Sequence, residues 1–156
     1  MTESRAPIYA AEARVTGGRS EGHGRTSDGA LDVDMRIPVE MGGPGGGTNP
    51  EQLFAVGYAA CFESALQTVA RRRRQEAGDV AIDSKVMLLP TAERGFKLGV
   101  SLAVSLPAVV DPNEAAELVR AAHEVCPYSN ATRGNVDFSL SANGQTVADI
   151  SQAMAA

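Results

Sequence analysis

GTNPEQLFAVGYAACFESALQTVARRRRQEAG, residues 47–78, is the strongest helical stretch in the chain. Asn49 is a good N-cap, and Pro50 takes the first helical position, where a missing N–H costs nothing. Gln52 completes a pattern resembling a capping box. The helix is expected to run to about Ala77, with Gly78 as its stop. Leu53, Phe54, Val56, Tyr58, Ala59, Ala60, Cys61 and Phe62 wrap almost the whole circumference. The first half is therefore expected to be buried on all sides. The second half turns basic at Arg71–Arg74 and is expected to emerge into water.

Outward from this helix, both flanks read as strands. Ile8–Val15 suggests a first strand, Gly17–Gly29 a turn-rich stretch, and Leu31–Val39 a second strand. In the last, Leu31, Val33, Met35, Ile37 and Val39 alternate with more polar residues, the period of a half-buried strand. The two are expected to pair antiparallel. Gly42–Gly47 then reads as a flexible connector. It fits neither phosphate-loop pattern: no Lys-Ser/Thr follows the glycines, and Thr48 stands where a dinucleotide fingerprint needs its third Gly.

Beyond the helix, Phe96, Leu98, Val100, Leu102, Val104 and Leu106 alternate without a break. Ile82–Leu89 is expected to pair with them across Pro90–Gly95. Asp111-Pro112-Asn113-Glu114 opens a second helix, with Ala115, Leu118, Val119, Ala122 and Val125 on its apolar face and Pro127 ending it just after Cys126. Val136, Phe138 and Leu140 make a last strand. The pattern ββαββαβ, with mostly hairpin-type neighbours, indicates one α+β domain over residues 1–156.

The chain has 156 residues, 44% of them apolar, and no Trp, so Ala, Val, Leu and Ile must build the core. A net charge of −5 argues against nucleic-acid binding, which rests on phosphate neutralisation. The N-terminal MTESRAPIYA has no signal-like apolar run, and no stretch reaches about 18 consecutive apolar residues. A cytoplasmic location without membrane contact is the expectation. In that reducing compartment two cysteines are more often catalytic, redox-sensing or inert than a structural disulfide.

Cys61 lies in the middle of the buried helix, where a small core hydrophobe is the plain reading. Its own helix dipole fades before reaching it, and burial raises a thiol pKa, so reactivity would require a cation from elsewhere. Cys126, at the frayed end of the second helix, is expected to be partly exposed and mobile. His23, Cys61, His123 and Cys126 match no zinc spacing. Neither histidine has the context of a Cys-His hydrolase.

Three segments together carry a resemblance. Gly47-Thr48-Asn49-Pro50-Glu51-Gln52-Leu53-Phe54, running on to Gly57-Tyr58-Ala59-Ala60-Cys61-Phe62, resembles the organic hydroperoxide resistance (Ohr) branch of the OsmC/Ohr family. So do Cys126-Pro127-Tyr128-Ser129-Asn130-Ala131-Thr132-Arg133-Gly134-Asn135 and the hairpin stretch Thr16-Gly17-Gly18-Arg19 with Ser27-Asp28-Gly29. The resemblance covers nearly the whole chain. It implies an interwound homodimer, with antiparallel strands around a buried central helix and active sites between subunits. It also implies a peroxidase without metal, haem or flavin, acting on alkyl and lipid hydroperoxides and re-reduced by dihydrolipoyl groups on lipoylated proteins. Carried over by position, Cys61 is the peroxidatic thiol, Cys126 its resolving partner, and Arg19 and Glu51 the active-site arginine and carboxylate. Arg19 would be the missing cation, aimed by Glu51 through a bidentate fork. Rival expectations are a broader-specificity OsmC-type peroxidase and a redox sensor using the same disulfide.

Overall fold

The computed structural model describes residues 5–147. The two ends of the span expected as one domain lie outside the described residues. Two compact units divide the chain between Pro50 and Glu51.

The first unit is a three-stranded antiparallel sheet of β1 (Ala13–Thr16), β2 (His23–Thr26) and β3 (Asp32–Asp34), in that spatial order. The expected pairing of the first and third strands is therefore wrong, because β2 lies between them. It was hidden in the turn-rich stretch because His-Gly-Arg-Thr has no apolar alternation. Both expected strands are also shorter than their apolar patterns. β3 stops at Asp34 because Met35 bridges to Thr48 and Arg36 N–H donates to the Thr48 carbonyl at 2.9 Å. The glycine loop is thereby folded back on residues 34–37. A Cβ on Gly43 would stand 2.2 Å from the Ile37 carbonyl oxygen, and one on Gly47 2.7 Å from that of Asp34. These glycines permit close backbone approach, so the loop is a fitted element rather than the slack connector expected.

The second unit is built around α1 (Pro50–Arg73), β4 (Ala81–Pro90), β5 (Phe96–Ser105), α2 (Pro112–Val125), α3 (Pro127–Thr132), β6 (Asp137–Ala142) and β7 (Gln145–Thr146). The sheet order is β4-β5-β6-β7. β4 and β5 form the expected hairpin, with Val86 opposite Val100. The pairing of β5 with β6 is parallel, an exception among the mostly hairpin-type neighbours expected. α2 and α3 make the crossover that a parallel neighbour requires. The α+β class stands, with α3 and β7 added to the expected elements. Asp111 caps α2 as its sequence suggests, its carboxylate accepting from the N–H groups of Asn113 and Glu114 at 2.8 and 3.0 Å.

The core joins α1 to β5, α2 and β6 through Phe62, Leu66, Val100, Leu102, Leu118, Val119 and Leu140. Tyr58, Phe62, Ala65, Leu66, Val69 and Ala70 are the buried face of α1, at the spacing of one helical side. Val56 is 71% exposed, so the first half of α1 is not enclosed on all sides and burial deepens towards the second half. An apolar circumference records composition; only the face met by the sheet and α2 is covered within the chain. α1 is long and apolar enough to cross a membrane by length and composition, yet this face is taken up by the protein's own core. The helix stops at Arg73, earlier than Gly78. Arg74 is left-handed (φ 56°), and the N–H groups of Arg74 and Gln75 bond the carbonyls of Arg71 and Ala70. That is a Schellman end with arginine in the place usually held by glycine.

Candidate active site

Cys61 projects from the middle of α1 and is half-buried. Cys126 is completely buried. It is the corner between two helices: its N–H closes α2 on the Ala122 carbonyl, and its carbonyl accepts the first bond of α3 from Asn130 N–H, both at 2.9 Å. The expectation of a partly exposed Cys126 is thus overturned. Pro127 ends α2, as expected, but also opens α3 at the first helical position, and the chain folds over the thiol instead of fraying.

The two thiols are brought together, the Cys126 Sγ–H donating to Cys61 Sγ at 3.7 Å. Burial pushes the Cys61 thiol above its ordinary pKa, and the Tyr128 backbone N–H pulls against this through a hydrogen bond to the sulfur. The neighbouring Cys126 pushes it further up. Burial thus acts on this thiol in the direction expected.

The core that holds the two cysteines also holds an aromatic cluster. The Tyr58 ring is 5.8 Å from Phe54, 5.6 Å from Tyr128 and 5.8 Å from Phe138. Gly57 makes room for Tyr128: a Cβ there would stand 3.1 Å from the tyrosine hydroxyl. The Tyr58 hydroxyl donates to Ser129 Oγ at 3.0 Å and lies 3.1 Å from Thr132 Oγ1. His123 stacks on Phe138 at 4.7 Å, and burial lowers its pKa, with Arg133 adding to the effect. Among the described residues no three His, Cys, Asp or Glu side chains converge as metal ligands.

Arg19 sits in the turn between β1 and β2, after Gly17 and Gly18 at φ 71° and 59°. Glu51 lies in the first turn of α1. Because α1 is unbroken from Pro50 to Arg73, Glu51 and Cys61 of one chain stand about 15 Å apart along its axis. Sequence reasoning did not assign Tyr58, Tyr128, Ser129 or Thr132 to the site. The available signal was Pro127, which can start a helix as readily as end one; a helix opening there turns Tyr128 back towards Cys61.

An OsmC-like protein family model matches residues 43–141. An organic hydroperoxide resistance protein of Xanthomonas axonopodis pv. citri is 50% identical over 135 residues, 85% of this chain and 93% of that protein. OhrB of Bacillus subtilis is 48% identical over 134 residues, 85% of this chain and 96% of that one. The crystal structure of an organic hydroperoxide resistance protein from Legionella pneumophila superposes with a TM-score of 0.82 at 54% identity, covering 87% of this chain and 98% of its own. The matched region holds α1, both cysteines, β4, β5 and all of β6 but its last residue, and the chain belongs to the OsmC/Ohr family, in its organic hydroperoxide resistance branch.

Proposed function

We propose that this protein is a two-cysteine thiol peroxidase that reduces organic hydroperoxides to alcohols. The observation that carries the reading is the unequal pair: a half-exposed Cys61 within 3.7 Å of a fully buried Cys126. The exposed thiol can meet a peroxide; the buried one can meet only its neighbour. Cys61 thiolate attacks one peroxide oxygen, the O–O bond breaks, and the other oxygen leaves as the alcohol with one proton. Cys61 becomes a sulfenic acid. Cys126 then attacks the Cys61 sulfur, releasing water and forming the disulfide. An external dithiol, by family resemblance a dihydrolipoyl group on a lipoylated protein, returns both cysteines to thiols and is itself oxidised. In this reading the two thiols carry all the electrons, with no bound cofactor, and the work is done in the cytoplasm. The relatives' names, organic hydroperoxide resistance proteins, support the substrate class. Phe54, with Leu53 next to it, supplies apolar surface for an alkyl chain.

Arg19 and Glu51 complete the proposed site. A guanidinium beside Cys61 opposes the effect of burial on the thiol and polarises the peroxide; Glu51 aims it. Since α1 does not break, Glu51 cannot reach Cys61 of its own chain. We assign it to the site of a second copy in an isologous dimer. Mixed dimers of Cys61→Ser and Glu51→Ala chains should then recover activity towards half, and verified heterodimers without recovery exclude the crossing.

The direct test is peroxide consumption with dihydrolipoamide as reductant and tert-butyl hydroperoxide or hydrogen peroxide as substrate. The organic peroxide should be consumed faster. Cys61→Ser should be inactive, while Cys126→Ser should permit one oxidation and then gain further oxygens by intact mass. Arg19→Ala should raise the Cys61 thiol pKa and slow peroxide reduction more than it lowers stability. Full activity in Cys61→Ser ends the reading.

A further inference from the structure

The chemistry proposed above leaves the buried hydroxyl of Tyr58 unused. Its side chain is completely buried, and so is that of Ser129, to which it donates. Thr132, its second partner at 3.1 Å, also bonds the Tyr128 carbonyl at 2.9 Å. These contacts join α1 to α3. α3 is only six residues long, too short to hold itself in place by its own helical bonds. Its orientation depends on tertiary ties. On the other side, Arg133 Nη2 donates to the His123 carbonyl at 2.8 Å, which ties α3 to α2.

The two ties do different things. Arg133 joins the helices on either side of Cys126 and closes that corner, but it does not locate the corner relative to Cys61. Tyr58 stands three residues before Cys61 on the same helix. Its hydroxyl therefore fixes α3, and with it Cys126 at the head of α3, against the element that carries the partner sulfur. We propose that the Tyr58 hydroxyl, gripping Ser129 and Thr132, is a positioning device for the resolving cysteine and sets how fast the disulfide closes on oxidised Cys61. The inference rests on the peroxidase reading.

The device acts on one step. Cys61–SOH and Cys126–SH condense to the disulfide and water; the competing fate is a second peroxide converting Cys61–SOH to sulfinic acid with release of another alcohol. Sulfurs 3.7 Å apart need to approach by about 1.7 Å to reach bonding distance, so a small displacement of α3 changes the closure rate strongly. The first oxidation depends on Cys61 itself and is affected only through the Tyr128 N–H on its sulfur.

Tyr58→Phe isolates the hydroxyl, because the ring keeps its contacts with Phe54, Tyr128 and Phe138. The experiment is single-turnover oxidation of the full-length protein by tert-butyl hydroperoxide. Loss of thiol, trapped sulfenic acid, disulfide and sulfinic acid are followed separately by rapid quench and intact mass. In Tyr58→Phe the disulfide should close on the order of tenfold more slowly, with the first oxidation changed by less than about threefold. The sulfinic fraction per turnover should rise accordingly. Thr132→Val should move the same way by less, and Thr132→Ser, which keeps the hydroxyl, should close as the wild type does. A merely structural hydroxyl would lower the melting temperature without changing the division between disulfide and sulfinic acid. Tyr58→Phe and Thr132→Val both closing at the wild-type rate overturns the inference alone. A wild-type Cys61 that tert-butyl hydroperoxide does not oxidise overturns the peroxidase reading and the inference with it.

Discussion

The chain before Pro50 and the chain after it are held together by different forces. Among the described residues, every buried apolar side chain except Met35 lies between Tyr58 and Val147. The second unit has a core of Phe62, Leu66, Leu102 and Leu118, each fully buried. The first has a sheet whose strand β1 is exposed at every residue, laced by surface ion pairs. His23 meets Asp32 and Asp34 at 2.9 Å each, and Arg25 meets Asp32 at 3.2 Å. Buried side chains of this size contribute roughly 2–5 kcal/mol apiece by truncation, whereas exposed ion pairs are screened by water and contribute little. One unit can hold the thiols in fixed register. The other carries Val15, Leu31, Val39 and Met41 exposed.

The sharpest way to break this contrast is to truncate on both sides of it. Leu118→Ala should cost about 2–5 kcal/mol in denaturant unfolding, while Val15→Ala should stay within about 0.5 kcal/mol. A Val15→Ala loss as large as that of Leu118→Ala would mean that the N-terminal sheet is covered in solution and that the contrast belongs to the isolated chain only.

Backbone demands sharpen it next. In the first unit, Gly43→Ala places a Cβ 2.2 Å from the backbone oxygen of Ile37, which cannot give way as a side chain could. The expected loss is about 1–3 kcal/mol. In the second unit, Arg74 already bears the strain of a left-handed residue with a Cβ, at φ 56°. Arg74→Gly should therefore stabilise by roughly 1 kcal/mol, raising the melting temperature by about 2–4 °C for a chain of this size. The two substitutions use the same residue type with opposite signs, and thermal melts of both variants check them together.

What could be read from the sequence divides along the same line. In the second unit burial creates periodicity, and periodicity is visible: Val100, Leu102 and Val104 are the buried side of β5 although Phe96 at its start is exposed, and Asp111-Pro112 starts α2 where its cap is found. In the first unit β2 is held by backbone pairing and by His23 between two aspartates, none of which leaves an apolar pattern, so a strand was missed. At the site, the two cysteines were visible because few residues do their chemistry. Their relation was not. A parallel β5–β6 pairing and a buried corner at Cys126 depend on α3, and six residues after a proline give too little signal to distinguish a helix from a loop. Hydroxyls such as those of Tyr58, Ser129 and Thr132 are ordinary residues until the fold sets them within hydrogen-bond reach.

The smallest effects come from the two histidines, one in each unit, and their signs are opposite. His123 is buried against Phe138, and burial, then Arg133, lowers its pKa from 6.5, with Glu124 pulling the other way. The unfolded chain binds this proton more readily than the folded one. His123 therefore contributes stability at pH above about 6.5, lost as the pH falls through its lower folded value. His23 has its Nδ1 on Asp34 and its Nε2 on Asp32. The hydrogen bond to Asp34 is the largest cause of a pKa raised from 6.5, and Arg25 opposes it. Here the folded chain holds the proton more tightly. The contribution is complete below about pH 6.5 and disappears as the pH rises through the raised value. Melting curves across pH 5–8 should show this in the variants. His123→Leu should flatten the acid side of the stability profile, and His23→Gln should flatten the decline above pH 6.5. The His23 effect should be the weaker and should shrink further in high salt, because its ring and both carboxylates stand in water where ions screen them. A His23→Gln profile parallel to the wild type from pH 6.5 to 8 would show that the aspartates hold the sheet equally well without a proton between them. The register of β2 against β3 would then rest on backbone hydrogen bonds and the Arg25–Asp32 pair.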